Sequence, residues 1–271
     1  MDNTRDSYVA GAFYPDNYDE LKNDIKSYMN IEKPDLKYKR LIGAIVPHAG
    51  YMYSGKTAGY AYSIIKDVRK RNFLIIGPNH SGYPQYPAIY PDGYWNTPLG
   101  YAKVNSEIAN KILLKSNIIK SDKEAHMIEH SIEVQLPFLQ YIFNNDFTFT
   151  PIIMGYQDAS VARNVADTIS SMEEKPFLLI SSDLNHYNEY NKNNELDDIT
   201  INDIESLRIT HYYEDRITYG TSACGYGAIA ILMMITKEMK GKIALINHSN
   251  SGDTGTDRKR VVGYAAMIAY V

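Results

Sequence analysis

One cysteine, Cys224, stands among 271 residues, which excludes any intramolecular disulfide and fits a reducing compartment. The opening stretch, MDNTRDSYVAGAFYP, lacks the apolar core of a signal peptide. No apolar run reaches the roughly 20 residues that a membrane-spanning helix needs. The C-terminal VVGYAAMIAYV is apolar but too short for that, and reads as a buried final strand. A cytoplasmic protein with no membrane contact is therefore expected. No long basic run exists and the formal net charge is −4, so nucleic acid is not an expected partner. Linkers, internal repeats and low-complexity tracts are absent too, so residues 1–271 are expected to form a single domain. A chain of this length buries roughly three quarters of its unfolded surface and needs no disulfide or structural metal to fold. What the sequence has in excess is tyrosine, 24 in all. Tyrosines can line a binding surface, although mixed core and surface packing is the plainer account.

Short apolar runs rich in β-formers alternate with longer helical patterns. Strands are expected over 41–46, 73–77, 87–90, 149–154, 177–181, 243–247 and 261–270. Several are near-continuous apolar runs, as in strands covered on both faces. Helices are expected over 17–29, 55–68, 107–116, 131–143, 159–172, 199–209 and 222–234. This alternation predicts an α/β sandwich with a largely parallel sheet. The polar stretch 188–203 reads as a surface excursion running into a helix.

Three histidines share one context. LIGAIV ends in Pro47-His48-Ala49-Gly50, FLIIG in Pro78-Asn79-His80-Ser81-Gly82, and FLLISS in Asp183-Leu184-Asn185-His186-Tyr187. Each histidine follows the carboxyl end of a strand, the edge where open α/β sheets form ligand clefts. Imidazole is the commonest metal-ligating side chain, and three of them suit zinc, iron or copper. A lone histidine of this kind would more simply cap a strand. The repetition of one context three times favours a shared site.

Cys224 lies in GTSACGYG, directly before the apolar run GAIAILMMI. A thiol near a helix N-terminus can have a lowered pKa and act as a soft metal ligand or redox centre. The alternative is a small buried residue at a glycine turn. In His126-Met127-Ile128-Glu129-His130, His130 is expected in the cleft and His126 on the surface, with a helix starting near Ser131 as N-cap. Asp183 can orient a histidine, accept a proton or bind metal, or simply cap its loop. Tyr51, Asn79, Ser81, Asn250 and Ser251 are the neighbouring ligand-binding candidates, whereas 257–260 (DRKR) reads as a solvated turn.

These blocks together resemble the Memo family, a cousin of the LigB-type class III extradiol dioxygenases. The matching pieces are VAGAFYP at 9–15, VPHAGYMYSG at 46–55, GPNHSG at 77–82, EHSIEVQLPFL at 129–139, SSDLNHY at 181–187, ACG at 223–225, and NSGDTG with VVGYAAM near the end. The resemblance implies a three-layer α/β/α sandwich whose sheet is mostly parallel or mixed. It implies a cleft of His48, His80, His186 and Cys224. In the related ring-cleaving dioxygenases two histidines and a glutamate hold Fe(II). His48 and His80 match those histidines, and Cys224 stands where the glutamate stands. His186 and His130 match the acid/base histidines.

A thiolate is softer than a carboxylate, admits copper and is itself oxidisable, so ring cleavage does not carry over. The resemblance implies Fe(II) first, copper next and zinc last. It also implies microbial association with AMMECR-type and radical-SAM proteins. Three functions follow as expectations. The first is a metal-dependent redox or oxygenase-like enzyme in which the metal acts on O₂ or a phenolic substrate, His186 moves the proton, and Asp183 or His130 orients it. A second is a binding module holding a phosphopeptide or small anion in the same cleft. Metal-assisted hydrolysis ranks lowest.

Overall fold

The computed structural model describes residues 3–32, 34–69, 71–255 and 257–271. Along these the elements run β1 (Thr4–Arg5), α1 (Tyr18–Tyr28), β2 (Leu41–Val46), α2 (Tyr51–Ile65), β3 (Asn72–Pro78), β4 (Ala88–Ile89), β5 (Tyr94–Thr97), β6 (Gly100–Val104), α3 (Ser106–Lys115), β7 (Lys120–Ser121), α4 (Leu136–Phe143), β8 (Thr148–Met154), α5 (Ala159–Ser170), β9 (Phe177–Ser181), β10 (His186–Asn188), α6 (Tyr190–Glu205), α7 (Ile209–Thr218), α8 (Tyr226–Glu238), β11 (Lys242–Asn250) and β12 (Val261–Tyr270).

Four apolar runs, β8, β3, β9 and β2, lie side by side and mutually parallel at the centre of one sheet. Their residues alternate between two apolar layers. Ile45, Leu74, Ile76 and Ile180 face one layer with α3, α5 and α8. Ala44, Val46, Phe73, Ile75 and Leu179 face the other with α1, α2 and α4. Covered on both faces, the strands need no polar alternation, which is why they read as continuous apolar runs. The α/β/α layering expected from the sequence is present. The sheet is mixed, because β12 runs antiparallel to both β2 and β11 at one side, and β5 antiparallel to β6 at the other.

Three expectations need correction. No helix spans 131–143. A short 3₁₀ turn, Glu133–Gln135, precedes α4. Pro137 explains this, since inside a continuous helix it would lack the N–H for the preceding turn and clash with it, whereas the first turn of α4 accepts it. Ser131 is no helix cap, because its hydroxyl donates to Pro78 O at 3.0 Å. The stretch 188–203 is not a surface excursion but most of α6, which begins well before 199. Glu189 caps it by accepting from Asn191 N and Lys192 N, and Asn193, Asp197, Thr200 and Asp203 are buried along its inner face. Finally, α2 starts at Tyr51, immediately after the His48 loop.

Candidate metal centre

Because β3, β9 and β2 are parallel neighbours, their carboxyl ends bring His80, Asp183–His186 and His48 to one edge. The turn before α8 adds Cys224, and the loop before α4 adds Glu129 and His130. His48, His80, His130, Asp183, His186 and Cys224 line an open cleft of about 780 Å³, with Glu129 behind His80. A ring nitrogen of His48, one of His80 and the Cys224 sulfur all lie within 4.8 Å of one another. His48 is buried, Cys224 half-buried and His80 at the mouth.

Hydrogen bonds settle how each imidazole is presented. Ser181 Oγ donates its single hydrogen to Ser131 O at 2.5 Å and accepts from Gln135 Nε2 at 2.8 Å. Toward His48 Nδ1, 3.0 Å away, it has only a lone pair left, so Nδ1 carries the proton. His48 Nε2 is then the free base, 3.2 Å from the Cys224 sulfur. His80 Nδ1 faces the Glu129 carboxylate at 3.0 and 3.2 Å, which leaves its Nε2 free as well. His186 Nδ1 donates to Ser222 O at 3.2 Å, with the same consequence. Three imidazoles thus offer Nε2 lone pairs while a protein acceptor holds each Nδ1, the arrangement metal-ligating histidines require.

Glu129 also belongs to a second possible donor group with His80 and His130. Its oxygens, however, already accept from His80 N at 2.5 Å and Ser131 N at 2.7 Å besides the His80 ring. Glu129 is therefore the carboxylate that orients His80. Burial alone would raise its pKa, but the His80 hydrogen bond and the charges of His80 and His130 bring it down to about 2. Burial depresses His48 strongly, and the neighbouring histidines add to this. His80 moves the other way, because Glu129 outweighs its burial. His130 is lowered by burial against the pull of Glu129. Its ring stacks on His80 at 4.4 Å, and Phe13 packs on it at 4.7 Å.

The Cys224 thiol departs from expectation. Burial and the nearby Asp183 charge push its pKa up, not down, even though α8 starts two residues later. In the metal-free protein it is a neutral thiol whose hydrogen can point at His48 Nε2. A bound cation would reverse this, since ligation itself deprotonates a thiol. The donor set fits such an ion: two imidazole nitrogens and a sulfur whose other contacts are the Asp183 backbone N–H at 3.3 Å and Ser182 Oγ at 3.7 Å.

Asp183 does not contact the His186 ring. Its Oδ1 accepts from His48 N at 2.8 Å and Ala49 N at 3.3 Å, so it fastens the β9 loop to the His48 loop. Its Oδ2 lies 4.0 Å from His48 Nε2, and burial raises its pKa. Of the other candidates, Ser251 lines the cleft. Tyr51 does not: it is buried in the apolar layer, and its hydroxyl donates to Val134 O. Asn79 accepts from Ser81 N and Oγ and donates to Pro84 O, so both side chains shape their own turn. Asn250 is buried, capping the short turn 251–253. His126, expected at the surface, is fully buried between Trp95 and Tyr90. Its neighbourhood is covered because the N-terminal segment packs over it, with Arg5 Nε donating to His126 O. The turn 257–260 is exposed as expected, yet Asp257 and Arg260 stand at the cleft mouth.

Sequence reasoning passed over Glu129, Ser181, Gln135, Phe13, Tyr53 and Tyr264. The first three act through a histidine, and only the loop geometry reveals which one. Phe13, Tyr53 and Tyr264 line the cleft from three separate segments.

Comparison with known proteins agrees along nearly the whole chain. A family profile described as "Memo-like protein" matches residues 5–268. A MEMO1 family protein of Thermoplasma volcanium is 44% identical over 261 residues, covering 96% of each chain. One from Thermoplasma acidophilum is 43% identical over 263 residues, covering 97% of each. Another, from Methanosarcina mazei, is 39% identical over 269 residues, covering 97% of this chain and 98% of its own. With the profile spanning both the sheet and every loop of the cleft, the chain belongs to the Memo-like family.

Proposed function

We propose that the cleft holds a redox-active ion, iron or copper in preference to zinc, on His48, His80 and Cys224, and that the protein is a metal-dependent redox or dioxygenase-like protein acting on a small molecule. The observation that supports this reading most is the convergence of two imidazoles and a thiol within 4.8 Å, with Ser181 and Glu129 holding the far nitrogens of the rings. The ion would supply one-electron chemistry, for which a soft sulfur beside imidazoles suits copper and iron. The chain supplies the rest. His186, with Nδ1 tied to Ser222 O, keeps Nε2 as a base toward the cleft, where it can take a proton from a substrate hydroxyl. Phe13, Tyr53 and Tyr264 offer aromatic walls, and Arg260 at the mouth favours a ligand with an anionic group.

The test is oxygen uptake by the iron- and copper-loaded protein with phenolic reductants, run beside His186→Gln. Turnover that falls at least tenfold in the variant while its metal content holds supports the assignment; roughly 10²–10⁴-fold is the usual share of a general base. Metal-loaded protein that consumes no oxygen with any of them removes the enzyme reading. Ligand binding that persists after chelation would then favour an anion-binding module in the same cleft.

A further inference from the structure

We infer that Asp197, buried on α6 behind the cleft, is a positioning residue for His186, acting through Asn185 and Ser222. The chain of bonds is continuous. Asp197 Oδ1 accepts from Asn185 N at 3.0 Å and Asn185 Nδ2 at 2.8 Å. Asn185 Oδ1 in turn accepts from Ser222 N at 2.6 Å. Ser222 meets His186 twice, its Oγ accepting from His186 N at 3.0 Å and its carbonyl from His186 Nδ1 at 3.2 Å. The last bond decides which nitrogen faces the cleft.

Asp197 itself is fully buried, a costly place for a carboxylate unless it is well supplied with donors. Four N–H groups meet it: the two from Asn185, Asn193 Nδ2 at 3.1 Å and His248 Nε2 at 2.9 Å. Packing alone would be served more cheaply by an apolar side chain. The surroundings are shaped to admit the acid. A Cβ on Gly263 would sit 2.0 Å from Asp197 Oδ2, so β12 must carry glycine there. The same glycine brackets the loop, its carbonyl accepting from Leu184 N and its N–H donating to Asn185 O, both at 2.8 Å. Directly after His186, Tyr187 takes a left-handed backbone conformation at φ 63°, a strain that persists only where neighbours over-determine the loop. The polar face of α6, unexplained by core packing, thereby gains a purpose.

The inference rests on the proposed role of His186 as the cleft's base, but its test does not depend on metal or turnover. Nitrogen NMR of the histidine rings in the metal-free protein at pH 8 reports the tautomer of each. In the parent, His186 should be the Nδ1–H form. In Asp197→Asn and in Asn185→Ala, the Nε2–H form of His186 should rise several-fold, while His48 and His80, held by Ser181 and Glu129, stay as they were. Either folded variant with an unchanged His186 tautomer overturns the proposal, whatever its melting temperature. Loss of fold in both variants would also overturn it, since Asp197 would then be a core residue. Failure to load metal would bear on the proposed function and leave this result standing.

Discussion

At the scale of single residues, the cleft is governed by which atom of each ring is already engaged. Glu129 is the sharpest case. Glu129→Gln keeps the shape but replaces a full carboxylate with a weaker acceptor for His80 Nδ1 and its backbone N–H. Losses of roughly 10–100-fold in metal affinity are usual when such a partner is removed. Anaerobic competition against a chelator should find a drop of that size, and an unchanged affinity would mean that Glu129 does not orient a ligand. His126 carries a different prediction. Burial, then the Arg5 charge, lower its pKa to about 3, against 6.5 in an ordinary histidine. The unfolded chain therefore binds a proton in a range where the folded one does not. Its contribution is complete above about pH 6.5 and is lost as pH falls below that, by at most about 1.4 kcal/mol per pH unit. Urea midpoints followed from neutral to mildly acid pH should fall less steeply in His126→Asn than in the parent; parallel slopes would refute the assignment. The residues most legible from sequence were those with a strand directly before them, His48, His80 and His186; His130, Cys224 and Ser251, also singled out from their motifs, line the same cleft. Glu129 and His126 escaped because burial by a segment over a hundred positions away, around Arg5, leaves no local mark.

At the scale of elements, two contacts fix the frame. Arg5 and Glu133 form a fully buried pair at 2.6 Å, and Glu133 also accepts from Val9 N and Tyr14 Oη. Arg5 donates onward to His126 O and Glu129 O. The VAGAFYP segment is thus pinned to the loop that bears Glu129 and His130. Arg5→Met strands a buried carboxylate and should cost roughly 3–5 kcal/mol in chemical denaturation. Helices α1 and α2 cross at Gly59, where a Cβ would lie 2.2 Å from Tyr28 O. Gly59→Ala should therefore destabilise by roughly 1–3 kcal/mol, although alanine is the better helix former by about 1 kcal/mol. A gain in stability would show that the helices part without cost. The central strands were readable almost to the residue, since continuous apolar runs between turn residues have few other fates. Helix α6 was not, because its inner face buries Asn193, Asp197 and Thr200 against a polar loop where a sequence pattern anticipates leucines.

At the scale of the whole molecule, the fold turns three separated sequence motifs into one site by making β3, β9 and β2 adjacent and parallel. That convergence was foreseeable from the repeated strand–histidine pattern, and a mixed sheet was among the expectations from the family resemblance, whereas the strand order was not foreseeable, since pairing is set by long-range packing. Among the described residues no helix is long and apolar enough to cross a membrane. A ligand that ties the loops together stabilises the folded state by mass action, by about 2.7 kcal/mol at a hundredfold excess over its dissociation constant. Iron or copper should thus raise the melting temperature of the parent, and Cys224→Ser should lose most of that rise. The most direct measurement is elemental analysis of protein purified without oxygen and reloaded in turn with iron, copper and zinc, beside His48→Ala and Cys224→Ser. The account predicts stoichiometric iron or copper in the parent and its loss from both variants. A parent that retains no metal under any loading, or a Cys224→Ser variant that retains it in full, would contradict the proposed centre.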